Sequence, residues 1–115
     1  MAIIVKTTRP EVLLTKIKKA IDVFDVESFG YTVEGAFIHM TFDTQLALEA
    51  FITPQVLDGE AIVFAVRGLA REELSKRAYA IYASRFFEML MTHFGCDFST
   101  VDVTALPYER LGDTE

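Results

Sequence analysis

Apolar residues recur with a helical period over the longest patterned stretch of the chain, Leu69 to Phe94. Leu74, Ala78, Tyr82, Phe86, Leu90 and Phe94 fall four residues apart, and Ile81 and Met89 widen that stripe. A second row, Tyr79, Ala83, Phe87 and Met91, is also apolar, which narrows the polar side to Arg77, Ser84, Arg85, Glu88 and Thr92. A helix this apolar needs cover on more than one side, from a sheet and a further element or from another subunit. Arg67-Gly68 is predicted to turn the chain into it, with Glu72 and Glu73 at its positive end. Gly95 is predicted to close it as a left-handed cap, with His93 in the last turn.

Upstream, Thr8-Arg9-Pro10-Glu11 reads as a helix start. Thr8 caps, Glu11 stands three residues on as in a capping box, and Pro10 is tolerated in the first turn. Leu13, Leu14, Ile17, Ala20, Ile21 and Phe24 then share one face, with Lys16, Lys18, Lys19 and Asp22 elsewhere. From Val26 to Phe42 the period drops to two. A two-residue hairpin tip at Glu34-Gly35 sets Val33 opposite Ala36, Tyr31 opposite Ile38 and Phe29 opposite Met40 on an apolar face. The mixed face then pairs Thr32 with Phe37, Gly30 with His39 and Ser28 with Thr41. Glu-Gly is a weaker turn signal than Asn-Gly, so a slightly longer loop also fits. Asp58-Gly59 predicts a second hairpin, between Ile52–Leu57 and the buried run Ala61–Val66, with Pro54 at a sheet edge or bulge. Thr44 to Phe51 reads as either a short helix or a strand, and Ile3-Ile4-Val5 as either a short strand or an apolar arm. Phe98 to Leu106 alternates as a last strand, Pro107 stops it, and Tyr108 to Glu115 reads as a polar, mobile tail.

These elements predict a single α+β domain over residues 1–107, in two layers. The expected order is α-β-β-β-β-α-β: an antiparallel sheet of four to five strands with both helices on one face. Composition agrees, since 51 % of the 115 residues are hydrophobic and ten are phenylalanine, enough for a packed core without staples. A net charge of −6 disfavours nucleic acid as a partner of the whole chain. One cysteine cannot form an intramolecular disulfide, which fits a reducing compartment. Met1-Ala2-Ile3-Ile4-Val5-Lys6 has no basic lead before an apolar core, so no signal peptide is expected. No apolar run approaches the roughly 20 residues that span a bilayer. A soluble, cytoplasmic protein without a membrane partner is the expectation.

Ser84-Arg85-Phe86-Phe87-Glu88-Met89-Leu90-Met91-Thr92-His93-Phe94, followed by Val103-Thr104-Ala105-Leu106-Pro107, resembles the C-terminal signature of a family of small uncharacterised bacterial proteins. The likeness extends more weakly to the first helix, where Leu13-Leu14 precedes Ile17 and Lys18-Lys19-Ala20-Ile21. The family's central sheet is richer in tryptophan, of which this chain has none. The shared positions are mostly core positions, so the resemblance implies a fold and no activity.

Candidate chemistry is sparse. His39 is placed on the mixed hairpin face beside Phe37, Ser28 and Thr41, where an imidazole can act as a base or hold a ligand. The competing reading is an ordinary strand histidine, since no second catalytic partner stands out. His93, Cys96 and Asp97 have the residue types for zinc, but the end of the long helix already accounts for them, with Cys96 packing back near Met91, and no second Cys/His pair has metal spacing. Neither a metal nor a cofactor is therefore expected. Arg9, Lys16, Lys18 and Lys19 make the first helix locally basic, as Arg67, Arg71, Lys76 and Arg77 do the start of the long one; most such clusters are solvated faces. Arg85 and Glu88 interrupt an apolar surface, as an interface pair or as the exposed edge of the helix. There is no Gly-rich phosphate loop, activated nucleophile or spaced carboxylate pair.

The pattern points first to a non-catalytic protein-interaction module, self-association included, using the apolar helix or a free sheet face bearing Phe37. The alternative is a small-ligand binder or enzyme built on His39 with Ser28 and Thr41. A third option, binding of nucleic acid or an acidic protein by the first helix, predicts steep weakening with salt.

Overall fold

The computed structural model describes residues 1–39, 50–68 and 74–105. Its elements are β1 (Ala2–Lys6), α1 (Pro10–Asp22), β2 (Phe29–Tyr31), β3 (Phe37–His39), β4 (Ala50–Leu57), β5 (Ala61–Gly68), α2 (Lys76–Phe94) and β6 (Thr100–Val103). Among the described residues the fold is α+β: two helices and one antiparallel sheet of six strands in the order β2-β3-β4-β5-β1-β6. One core cluster joins Leu13 and Ile17 of α1, Tyr82, Phe86 and Leu90 of α2, and Ile3, Val5, Ile52, Ile62, Phe64 and Val66 of the sheet. Among the described residues no helix is long and apolar enough to cross a membrane.

The sheet has more strands than the expected four to five, and the chain opens on a strand. Ile3-Ile4-Val5 is no arm; it lies between β5 and β6, with Ile3 opposite Phe64 and Val103, and Val5 opposite Ile62 and Val101. Ile3 and Val5 are fully buried. A run apolar at successive positions suits a strand in the middle of a sheet, where each side chain has cross-strand neighbours on both sides; here Ile4 is half-buried on the opposite face. β5 fits the same rule, with every residue from Ala61 to Val66 buried. β4 and β5 pair from Ala50 opposite Gly68 to Leu57 opposite Ala61, around a turn in which Gly59 takes φ +68°. Pro54, which has no N–H to offer, falls beyond the one pair, Phe37 with Ile52, by which β3 meets β4 among the described residues.

The β2–β3 hairpin departs from the predicted register by one residue. Phe29 faces His39, Gly30 faces Ile38 and Tyr31 faces Phe37. The loop is Val33-Glu34-Gly35, closed by Thr32 N–H on the Ala36 carbonyl (2.8 Å) and Gly35 N–H on the Thr32 carbonyl (2.9 Å). A two-residue type I′ turn would have needed positive φ at Glu34 as well as at Gly35. The longer loop asks it of Gly35 alone, at +88°. Because side chains alternate, one residue of slip exchanges the two faces. Phe37 and His39 therefore leave the predicted mixed face and join Phe29, which was expected on the apolar one, in pointing into the core.

Both helix starts differ from expectation for local reasons. Pro10 takes the first position of α1, so the cap falls on Arg9, whose side chain has no acceptor and makes no capping bond. Thr8 sits one residue too early to cap. α1 ends at Asp22; Phe24 takes φ +64° and is exposed rather than on the inner face, and Val26 fills the buried place. β5 runs on through Gly68, so Arg67-Gly68 is strand and not the turn into the helix. α2 begins after Ser75, whose hydroxyl accepts from the Ala78 N–H (3.0 Å). Glu72 and Glu73 lie outside the described residues and before that cap. Gly95 has right-handed φ of −57°, so it is no left-handed cap. A Cβ there would stand 3.0 Å from the Met91 carbonyl oxygen, a close approach that glycine relieves. Cys96 is exposed and does not pack back on the helix.

The predicted six-residue stripe is buried throughout, Leu74 just before the cap and the other five on α2, and the predicted polar side is exposed. The second apolar row divides: Tyr79 and Ala83 are buried, Phe87 and Met91 are not. The buried Tyr79 hydroxyl lies between the carbonyls of Ala2 (3.1 Å) and Thr104, tying α2 to β1 and to the end of β6. Tyr79→Phe removes the single phenol proton that the two carbonyls share; the Ala2 carbonyl still accepts from the Thr104 N–H (2.9 Å), so the loss falls on the Thr104 carbonyl. The substitution is expected to lower stability by about 1–3 kcal/mol, read from the urea midpoint at unchanged slope. Residues 40–49 and 106–115 fall outside the described residues. With them go Met40, Thr41, the helix-or-strand question over residues 44–49, Pro107 and the predicted tail.

Candidate functional site

Five of the six candidate side chains lie in the described residues, and the structure separates them into an interior and an exterior group. His39 ends β3 on the core face. Antiparallel pairing sets it opposite Phe29, with ring centroids 5.1 Å apart, and α2 places Tyr82 against it at 5.9 Å. It is 7 % exposed, the one buried polar or charged residue among those described, and its Nδ1 has no hydrogen-bond partner. Burial pushes the imidazole below its ordinary 6.5, the nearby Arg85 charge pushes the same way, and Glu88 opposes them. A neutral imidazole in an aromatic wall results. Its Nδ1 is hydrogen-bonded to no acid or base, and the ring lies on the core face rather than on the mixed face on which it is expected.

Phe37 is fully buried, with ring contacts to Phe64 and Phe86 at 6.0 Å each, so it is part of the core. Ser28 precedes β2 and is exposed, while the face that holds His39 is filled by its neighbour Phe29. Thr41 lies outside the described residues. Arg85 and Glu88 sit on the outer side of α2 as an i,i+3 ion pair at 3.7 Å, with side chains 55 % and 70 % exposed. Geometry of this kind contributes little to stability. Its place matters more: Phe87 and Met91 are one helical turn apart beside it, and both are exposed.

The end of α2 does not assemble a metal centre. Among the described residues no three His, Cys, Asp or Glu side chains converge on a common point. Asp97 instead accepts from Lys16 at 3.0 Å, and its carbonyl accepts from the Thr7 hydroxyl at 2.9 Å. These contacts pin the start of α1 to the turn after α2 and neutralise one lysine of the basic first helix. A cavity of about 220 Å³ lies there, lined by Thr7, Thr8, Arg9, Lys16, Cys96 and Asp97. Sequence reasoning missed it, because its walls come from segments some ninety residues apart that share no motif. It falls below the roughly 300 Å³ at which ligand pockets begin. No protein-family model, no curated protein and no solved structure matches the chain.

Proposed function

We propose that the protein is a non-catalytic interaction module of a bacterial cytoplasm that docks a helix along the exposed side of α2, with a second copy of the chain as occupant. The observation that carries this reading is the exposed pair Phe87 and Met91, at 42 % and 51 %. Ala80 and Ser84 continue the same line, and the intervals between Ala80, Ser84, Phe87 and Met91 are those of a helix–helix seam. In an antiparallel pair of such helices Ala80 stands opposite Met91 of the other copy, and Ser84 opposite its Phe87. Each large side chain then meets a small one. Arg85 and Glu88 flank the line as its polar rim. The likeness to the family of small bacterial proteins, which includes this helix, is kept as a proposed kinship of fold.

Sedimentation across the micromolar range, with native mass spectrometry of gently purified protein, tests the reading. Wild type is expected to dimerise, and Phe87→Asp with Met91→Asp to weaken the dimer at least about tenfold, or 1.4 kcal/mol. Because both sites are exposed, the thermal midpoint of the monomer should hardly move. A wild type that stays monomeric, or a dimer indifferent to both aspartates, sinks it. A second reading, small-ligand binding at His39, is favoured by the unpartnered buried Nδ1. A co-purified small molecule that His39→Ala releases would support it. Unchanged bound mass in that variant would end it.

A further inference from the structure

Among the described residues the β2–β3 hairpin is attached to β4 by one register pair, Phe37 with Ile52. It also meets α1 through an exposed hydrogen bond from the Tyr31 hydroxyl to Asp22 (2.7 Å) and the Lys18 ammonium over the Tyr31 ring, and α2 and β5 through a seam of rings. In that seam Phe29 meets Phe86 at 5.2 Å and Tyr82 at 6.4 Å, Phe37 meets Phe64 and Phe86, and His39 meets Tyr82. Every other side chain in this contact is hydrocarbon or phenol. His39 alone can gain a positive charge there.

We propose that protonation of His39 releases the β2–β3 hairpin from α2, so that the hairpin is an acid-sensitive flap on an otherwise fixed sheet. An imidazolium enclosed by Phe29 and Tyr82, with no acceptor for its Nδ1–H, carries an uncompensated buried charge. Swinging the hairpin outward hydrates it. The charged groups that face His39 come from α2. Arg85 repels an imidazolium, and Glu88, which would attract one, is already engaged with Arg85. From β2 the neighbour is Phe29, which is neutral; Tyr31 lies further along, with Asp22 and Lys18 of α1 around it. Burial and Arg85 hold the attached imidazole below the value of a free one. Attachment is therefore at full strength above a free histidine's pH of about 6.5 and weakens as the pH falls below it. One proton can favour release by at most about tenfold at pH 5.5.

Hydrogen exchange of the full chain at pH 7.5 and 5.5, corrected for the intrinsic pH dependence of exchange, tests this. Amides of residues 29–31 and 37–39 should open up to about tenfold more at pH 5.5, while those of β1 and β5 keep their protection. His39→Leu should remove the difference. Equal protection of the hairpin at both values, or the same acid response in His39→Leu, overturns the proposal. If that variant does not fold, an NMR titration of His39 in the wild type, read together with the hairpin amide shifts, decides. A His39 midpoint below the free value of about 6.5 with hairpin amides moving at the same pH supports the flap, and a midpoint at or above that value, or hairpin amides that do not move, overturns it.

Discussion

A chain lacking residues 1–6 is expected not to fold. Met1, Ile3 and Val5 are 3 %, 0 % and 0 % exposed, and all three belong to the core cluster. At about 1.5–3 kcal/mol for each buried side chain, their loss alone rivals a typical total stability of about 5–15 kcal/mol. The ladders add to it. β5 loses one of its two partners, from Ala61 to Ala65, and β6 loses its only described partner, from Thr100 to Val103. An apolar arm lying over a finished core would be dispensable, so the experiment separates the two readings of Ile3-Ile4-Val5 cleanly. Far-ultraviolet circular dichroism and amide NMR dispersion of the shortened chain give the answer. A cooperative thermal transition like that of the full chain would show that β1 is not needed.

The next largest effect is expected from Phe86→Ala. Phe86 is fully buried and stands where the helix meets both halves of the sheet, with ring centroids 4.6 Å from Phe64, 5.2 Å from Phe29 and 6.0 Å from Phe37. Truncation removes the ring's transfer energy and leaves a void bounded by rings held on three strands, which cannot all close on it. A loss of about 3–5 kcal/mol follows, or a fall of roughly 10–30 °C in thermal midpoint. Phe87→Ala is the control, one residue along and on the exposed side. It should cost less than about 1 kcal/mol. Equal losses at the two positions would place the helix in the wrong rotation against the sheet.

Those paired predictions rest on the part of the fold that was most legible. The stripe from Leu74 to Phe94 repeats often enough for the period to identify the buried face of α2, and the residues assigned to its polar side are exposed. Arg85 and Glu88 were visible for the same reason. Strands gave less. Three apolar residues in a row at Ile3-Ile4-Val5 carry no period, so nothing local separates a central strand from an arm; only the pairing with segments far along the chain does. In the hairpin the alternation was read correctly and its phase was not. The phase depends on whether the loop has two residues or three, and that turned on the cost of positive φ at Glu34. His39 and Phe37 were consequently assigned to the wrong side of the sheet. The cap of α1 failed on a single rule: proline at the first helical position fixes which residue precedes it.

The place of β1 in the sheet has a consequence in time. The ribosome releases this strand early, but its two neighbours are β5, ending at Gly68, and β6, ending at Val103. At about 5–20 residues per second, some 3–12 s separate the synthesis of β1 from that of its first neighbour. Through that interval Ile3, Ile4 and Val5 have no sheet to join, and the β6 ladder cannot form until β1 is seated. Folding is thus completed by a late, long-range closure, and until then the nascent chain carries an apolar strand without its partners.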